Sequence, residues 1–470
     1  MARRQPKGID TTEISRLGLE IGEKFHGILK DLLGRMPMPD NLSQMEQDVR
    51  AAMLKLGNLM LTNWLALQNP TYRPETVPCH CGLQAAYKEM REGVLLTALG
   101  RVTYCRAYYL CAACHDGSYP LDDRLGLRPG EISAELEDLM ACTGAQIPFE
   151  HGSALFTRLT LLDISPQTMD KATQAYGTEM ATVEEDWITT SQNADALLRQ
   201  EREEPPVERL YGSLDATKVH TDEPRDPRDQ GWRDLKIGAW FTATAQPPAT
   251  PTGDWTVQAE QITYFCDIAE AADFGDLLWA TGVQRAAPRA KDLVFLGDGA
   301  AWIWNLVSTH YPQAKQIVDW FHAAEHLTDV AAQVRGTPVE RSEWLSQARE
   351  NLWQGRLDAV ITGCAAQVRP GCADDPAQAA VTYFTNNRQR MDYPTYRAQG
   401  YQIGSGSIES GCKQIGIARM KVPGATWDTD GARNVAKARA ALLSTEHWHM
   451  LTSRRVRRPD PKSHPKSDPK

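Results

Sequence analysis

The chain has 470 residues, 42% apolar and 24% charged, with a net charge of −9; this balance fits a soluble globular protein with material for about three ordinary domains and excludes a uniformly basic nucleic-acid coat. No run approaches the roughly 18 apolar residues of a membrane span, and the basic start MARRQPKG has no apolar stretch behind it, so no secretory signal is read and a cytoplasmic location is expected. The charge is uneven, with 13 Lys and Arg against 5 Asp and Glu over residues 413–470, which offers sequence-independent attraction to phosphates at that end.

Taken in order, apolar residues at helical spacing (Ile14, Leu17, Ile21, Phe25, Ile28; then Met53, Leu56, Leu59, Met60, Trp64) predict two helices over 11–35 and 43–68, joined by a Pro-containing turn. They define an N-terminal helical region, 1–72, whose helices pack together or form an oligomer contact. Residues 73–130 carry Cys79-His80-Cys81 and Cys111-Ala112-Ala113-Cys114-His115 at the two ends of an alternating stretch that reads as a hairpin. Two close cysteine pairs brought together by a hairpin can converge four thiolates, Cys79, Cys81, Cys111 and Cys114, on one tetrahedral Zn²⁺. The first pair is contracted to C-x-C, so His80 or His115 in place of a cysteine, or a metal-free site, stays open.

Three closely spaced helices are predicted over 131–190, with Ser133 as an N-cap and Ser165-Pro166 opening the third. A helix-turn-helix unit of this kind would turn Gln167, Thr168, Lys171 and Gln174 toward bases; a plain helical connector is the other reading. An acidic linker follows, 191–208. Beyond it, Leu210–Val219 (with Asp215), Leu235–Ala243 and Ile262–Ile268 read as three successive strands, and Phe274–Thr281 as a helix.

The apolar run Leu293–Leu296 then stops at Gly297-Asp298-Gly299, which sets Asp298 at the carboxyl end of a buried strand. A helix (Trp302, Ile303, Leu306, Val307), a short strand (Gln316–Val318) and a helix start carrying Asp319 and His322 complete a strand, helix, strand, helix unit, whose ligand sites lie at strand ends. Strands in this order predict an α/β fold of the RNase H-like kind, with Asp215 beside Asp298. The core spans 209–336 and is interrupted by an α-helical insertion, 337–398. It resumes over 399–452, where Glu409 falls in the first turns of a helix continuing to about Arg419, and ends in a basic tail, 453–470. Three carboxylates, Asp215, Asp298 and Glu409, make a set of hard oxygen ligands suited to Mg²⁺ or Mn²⁺. Two such ions about 3.5–4 Å apart would serve in-line phosphoryl displacement. His322 reads either as a group for the scissile phosphate or as a structural partner of Asp319. Lys413, Arg419, Lys421 and Arg433 read as contacts to a DNA backbone, and Trp427 as a stack for an unpaired base or as core.

The phrases LDATKVH, LGDGAAWIW, IVDWFHAAEHL and GSGSIESGCKQIGIARMKVPGATW resemble the ISKra-type group of bacterial insertion-sequence transposases, related to the Mutator-like transposases, over the span from the cysteine hairpin to about Ser444. The resemblance implies a DDE triad of Asp215, Asp298 and Glu409 on an RNase H-like fold, a D-x-x-H pattern at Asp319 and His322, and a helical insertion before the Glu. It implies strand cleavage at terminal inverted repeats and strand transfer into target DNA, by at least a dimer, close to the bacterial nucleoid. A structure-specific nuclease of the same fold and a domesticated, inactive DNA-binding regulator are the alternatives.

Overall fold

Thr97 and Gly100 reverse the chain between two long strands, and the first of two units is built around that hairpin. The computed structural model describes residues 11–34, 41–68, 74–127, 130–195, 197, 207–222, 231–246, 256–372 and 374–456; most of the expected acidic linker and basic tail, Arg457 and Arg458 included, lies outside them. Of the described residues, the first unit holds those up to Gly144, Phe149–Ala172 and those from Met450 on, and the second holds Ala145–Pro148 and Thr173–His449.

The first unit opens with helices α1 (Thr11–Leu33) and α2 (Leu42–Leu67), and Asn41 caps α2 by accepting the Gln44 N–H. A four-stranded antiparallel sheet follows, of β1 (Thr76–Pro78), β2 (Gln84–Thr97), β3 (Gly100–Cys111) and β4 (Gly117–Ser118), neighbours in that order. At the hairpin tip Gly100 has φ of 94°, open to glycine at no steric cost, and Thr97 Oγ1 donates to the Gly100 carbonyl at 2.8 Å while accepting the Leu99 N–H. The Asn58 amide of α2 donates to the Leu99 and Arg101 carbonyls, fixing that helix on the turn. Leu65, Leu95, Val102, Tyr104 and Leu121 form its apolar core. Beside that core Asp122 is buried, and it accepts from Arg106 Nε at 2.5 Å and from the Tyr104 hydroxyl at 2.8 Å. Helices α3 (Pro120–Leu125), α4 (Ala134–Gln146), α5 (Phe149–Thr160) and α6 (Pro166–Ser191) come next, and the later part of α6 belongs to the second unit.

In the second unit β5 (Arg209–His220), β6 (Trp232–Gln246) and β7 (Thr256–Asp267) run antiparallel in succession. Helix α7 (Ala271–Gln284), β8 (Asp292–Gly297), α8 (Ala301–His310), β9 (Lys315–Val318) and α9 (Trp320–Gln333) then alternate. The sheet order is β7-β6-β5-β8-β9, with β8 parallel to β5 and β9 parallel to β8. Leu293, Val294, Phe295 and Leu296 are all buried, as expected of an inner parallel strand covered on both faces. Trp240, Phe295 and Tyr311 meet edge to face or tilted against the sheet.

Four helices fill the interval between α9 and the return to the sheet: α10 (Pro338–Trp353), α11 (Leu357–Ala365), α12 (Pro376–Asn386) and α13 (Tyr393–Ala398). Thr337 and Glu340 start α10 with a capping box, a device written in the sequence as T-P-V-E. The chain comes back through 401–405 into α14 (Gly406–Gly411), and closes with α15 (Thr429–Leu443) and α16 (Thr445–Val456). One expectation is corrected in this stretch. The helix of Glu409 does not run as one α-helix to Arg419, because Cys412–Met420 winds as a π-helix, with the Lys421 N–H reaching back five residues to the Gly416 carbonyl at 3.0 Å. Its seat is tight: a Cβ on Gly416 would stand 2.5 Å from Thr217 Cγ2 of β5, and one on Gly411 2.7 Å from the Tyr264 ring. Among the described residues no helix is long and apolar enough to cross a membrane.

Candidate active site and candidate metal centre

The parallel register of β5 and β8 pairs Ser213 with Leu296, and the Ser213 hydroxyl donates to the Leu296 carbonyl at 2.9 Å. Asp215 lies two residues further on, within β5 and paired with Ile237 of β6, and Asp298 stands just past the end of β8. Asp215 Oδ1 accepts the Ala216 N–H at 2.7 Å, and Oδ2 accepts the Cys412 thiol at 3.1 Å. Burial pushes the Asp215 carboxyl above its ordinary range and the Asp298 charge adds to this, against the pull of the Cys412 and Ala216 donors and of His322.

Asp298 sits in a turn that its own carboxylate organises, Oδ1 accepting the Ala300 N–H at 2.8 Å. Gly299 follows with φ of 103°, and a Cβ there would lie 2.5 Å from Tyr383 Cε2. The Tyr383 hydroxyl donates to the Asp298 carbonyl at 2.7 Å, so a helix of the insertion, α12, braces the turn that carries the acid.

Asp319, His322 and Glu409 form a second group, each offering one ligand atom within 4.8 Å of the others. Asp319 is the N-cap of α9 and is fully buried; its carboxylate accepts from Phe321 N, His322 N, Ser405 N and the Ser405 hydroxyl. Burial opposes ionisation there, but the nearby His322 imidazole and the donors from Ser405 and Phe321 outweigh it and hold the carboxyl below its usual range. His322 Nδ1 lies 3.4 Å from Asp319 Oδ2, an ion-pair separation without hydrogen-bond alignment, and that buried nitrogen has no hydrogen-bond partner. The Asp319 contact, against burial and with further help from Glu325 and Asp298, lifts the imidazole to about 9. Glu409 is half-buried in the first turn of α14, with the exposed Lys413 ammonium 3.5 Å away.

The sequence-predicted acids are thus distributed in a definite way. Asp215 lies within β5 and Asp298 just past the end of the neighbouring β8, and Glu409 joins Asp319 and His322. The two sets are linked by the Cys412 thiol on Asp215, three residues after Glu409, and by the electrostatic influence of His322 on Asp215 and of Asp298 on His322. The Asp215, Asp298 and Glu409 carboxylates fit a divalent cation by donor chemistry, whereas the His322 imidazole, lifted to about 9 beside Asp319, carries a proton at neutral pH and offers no lone pair.

In the first unit Cys79, Cys81, Cys111 and Cys114 converge, all four sulfurs within 4.8 Å of one another. Cys79 and Cys114 are 3.5 Å apart and Cys81 and Cys111 3.7 Å, close to the separation of about 3.8 Å that follows from Zn–S bonds of about 2.3 Å in a tetrahedron. Each pair lies on a tight turn: Gly82 N–H donates to the Cys79 carbonyl and His115 N–H to the Cys111 carbonyl. The Cys114 and Ala113 amides hold the Cys111 thiol down to about 6, while burial and the neighbouring thiols push Cys81 and Cys114 up against their backbone donors. His80 lies beside this group, 3.6 Å from both Cys79 Sγ and Asp116, and neither it nor His115 is one of the four.

The expected DNA-backbone residues divide. Lys413 and Lys421 are exposed. Arg419 and Trp427 are buried, with the guanidinium 5.2 Å from the ring centre, and Trp427 Nε1 donates to the Met420 carbonyl, so the core alternative holds for Trp427 and Arg419 is not presented to a duplex. Arg433 is engaged by Asp267, Asp430 and the Ile268 carbonyl. Along α6, Gln167 and Lys171 are exposed while Thr168 and Gln174 are half-buried. Sequence reasoning missed Cys412, Tyr383 and Ser405. The first and last lie within a few residues of Glu409, the one signal that would have drawn attention to them.

No protein-family model matches the sequence, and no curated protein does. Among solved structures the chain is similar to the Drosophila P element transposase strand transfer complex, at 9% identity over 70% of this chain and 82% of that chain, with a TM-score of 0.22. A likeness that distant carries no weight for fold or function.

Proposed function

We propose that this chain is a DNA transposase of the ISKra-type group, with an RNase H-like catalytic domain whose Asp215, Asp298 and Glu409 hold Mg²⁺ or Mn²⁺. Bound there, a pair of divalent cations supplies activation of the attacking oxygen and stabilisation of the leaving one. Asp215 serves from within β5, Asp298 from the turn after β8, and Glu409 closes the set from α14. His322, kept protonated at neutral pH, attracts the scissile phosphate. Lys413 and Lys421 offer backbone contacts that position the duplex without reading it. Terminal inverted repeats and target DNA are the partners, and joining two ends requires at least a dimer. In the first unit the four cysteines hold one Zn²⁺, which fixes the ends of the hairpin.

The observation that most supports this reading is the parallel pairing of β5, which carries Asp215, with β8, which Asp298 follows, in a sheet of order β7-β6-β5-β8-β9, together with the influence of the Asp298 charge on Asp215. The test is incubation with Mg²⁺ and labelled DNA carrying the inverted repeats that flank the gene, comparing wild type with Asp298→Ala. Equal binding with nicking by wild type alone supports the enzyme. Binding without nicking by either protein marks a DNA-binding regulator, and nicking independent of the repeats marks a structure-specific nuclease.

A further inference from the structure

Asp319 is one corner of the Asp319, His322, Glu409 group, yet its carboxylate is already spoken for. Oδ1 accepts Phe321 N at 2.5 Å and His322 N at 3.4 Å, and Oδ2 accepts Ser405 N at 2.7 Å together with the Ser405 hydroxyl. Both Asp319 and Ser405 are buried, 0% and 2% exposed, so no solvent shares these bonds. A carboxylate enclosed by four donors from its own chain has little left to offer a cation, whereas Glu409 is half-buried and opens outward.

Each of those bonds leads to a residue of the candidate site. Asp319 N–H donates to the Gly297 carbonyl, next to Asp298, at 2.8 Å. Oδ1 holds the first turn of α9, which carries His322. Oδ2 holds Ser405, whose carbonyl in turn accepts the Glu409 N–H at 3.1 Å, and the neighbouring Trp320 N–H donates to the Ile403 carbonyl at 2.9 Å. The segment 403–405 returns to the sheet after the four-helix excursion, 86 residues from Asp319 along the chain. We infer that Asp319 is a positioning residue that ligates nothing itself: it clamps the returning segment to the β9–α9 corner and thereby sets Glu409 and His322 against Asp298. This rests on the metal-dependent reading above, but the clamp is testable apart from it.

The experiment uses the full chain with Asp319→Asn, Ser405→Ala and the double variant, measured by native-state hydrogen exchange and by Mn²⁺ titration followed through the electron-paramagnetic-resonance signal of the free ion. Expected is exchange about tenfold faster in a peptide covering 403–411 for both single variants, the scale of losing a hydrogen bond to a charged group, with a peptide from β6 unchanged. Mn²⁺ affinity falls about ten- to a hundredfold in Asp319→Asn and in the same direction in Ser405→Ala, and the double variant loses less than the two single losses combined, because both break one clamp. Unchanged exchange at 403–411 in both single variants overturns the proposal. So does a loss of Mn²⁺ affinity confined to Asp319→Asn with Ser405→Ala at the wild-type value, since that is the behaviour of a ligand. If Asp319→Asn does not fold, Ser405→Ala carries both measurements. Should wild type and Asp298→Ala bind Mn²⁺ equally weakly, the metal reading falls, while faster exchange at 403–411 still upholds the clamp.

Discussion

His322 gives the second unit a pH signature. Its folded-state value of about 9 lies above the ordinary 6.5, so the folded state holds the extra proton: the contribution is fully present below about pH 6.5 and is lost as pH rises through about 9. The expected outcome, in chelator and without divalent cation, is a melting temperature that falls between pH 6.5 and 9 in wild type and a flatter profile in His322→Gln. Lys437 supplies a second residue-level test. Its ammonium is buried and reaches Glu184, Asp267 at 2.8 Å and the Cys266 carbonyl at 2.9 Å; burial opposes its charge, but Glu184 and Asp267 hold it protonated. Lys437→Met leaves Glu184 buried and unpaired and should cost about 3–5 kcal/mol by urea denaturation, with Lys437→Met/Glu184→Leu recovering much of it. At this scale the sequence singled out the acids as candidates, Asp298 because it closes an apolar strand run between two glycines. It hid their supports. The Cys412 thiol meets Asp215 across 197 residues and Tyr383 meets Asp298 across 85, and no local pattern records such a pairing.

At the scale of elements, periodicity located the strands and helices because each buries one face or, as in β8, both. Boundaries moved where a cap or partner decided them: the helix expected over Phe274–Thr281 spans Ala271–Gln284, and the strand expected over Leu235–Ala243 spans Trp232–Gln246. The π-helix was illegible because local propensity does not separate it from an α-helix; the seat of Gly416 on Thr217 does. Close approach governs α6 as well. A Cβ on Gly177 would stand 1.9 Å from the Asn434 carbonyl oxygen, backbone of α15 that cannot swing aside. Gly177→Ala is therefore expected to lose about 1–3 kcal/mol despite its better helix propensity, read as a lower urea midpoint at unchanged slope.

For the molecule as a whole, the strand order followed from three successive strands and then alternation, and the cysteine spacing anticipated the convergence of four sulfurs. The division into two units did not follow, because segments distant in sequence, such as Met450 and beyond with the N-terminal part, contribute to one unit. The cysteine group makes a stoichiometric prediction: purified protein should carry about one Zn²⁺ per chain by elemental analysis, and Cys79→Ser or a strong chelator should remove it and lower the melting temperature. Zinc absent from protein purified without chelator would end the assignment.

The π-helix has a consequence for how this chain tolerates changes in length. Its wide turns store surplus residues between Cys412, fixed on Asp215, and Gly416, seated on Thr217. Deleting one residue between Lys413 and Ile415 would let the coil tighten to α-geometry, in which each residue advances the phase by about 100°. Gly416 would stay close to Thr217, because three α steps turn the chain about as far as the four wider steps they replace. Here one residue can be lost from the coil while Glu409 and β5 stay in step.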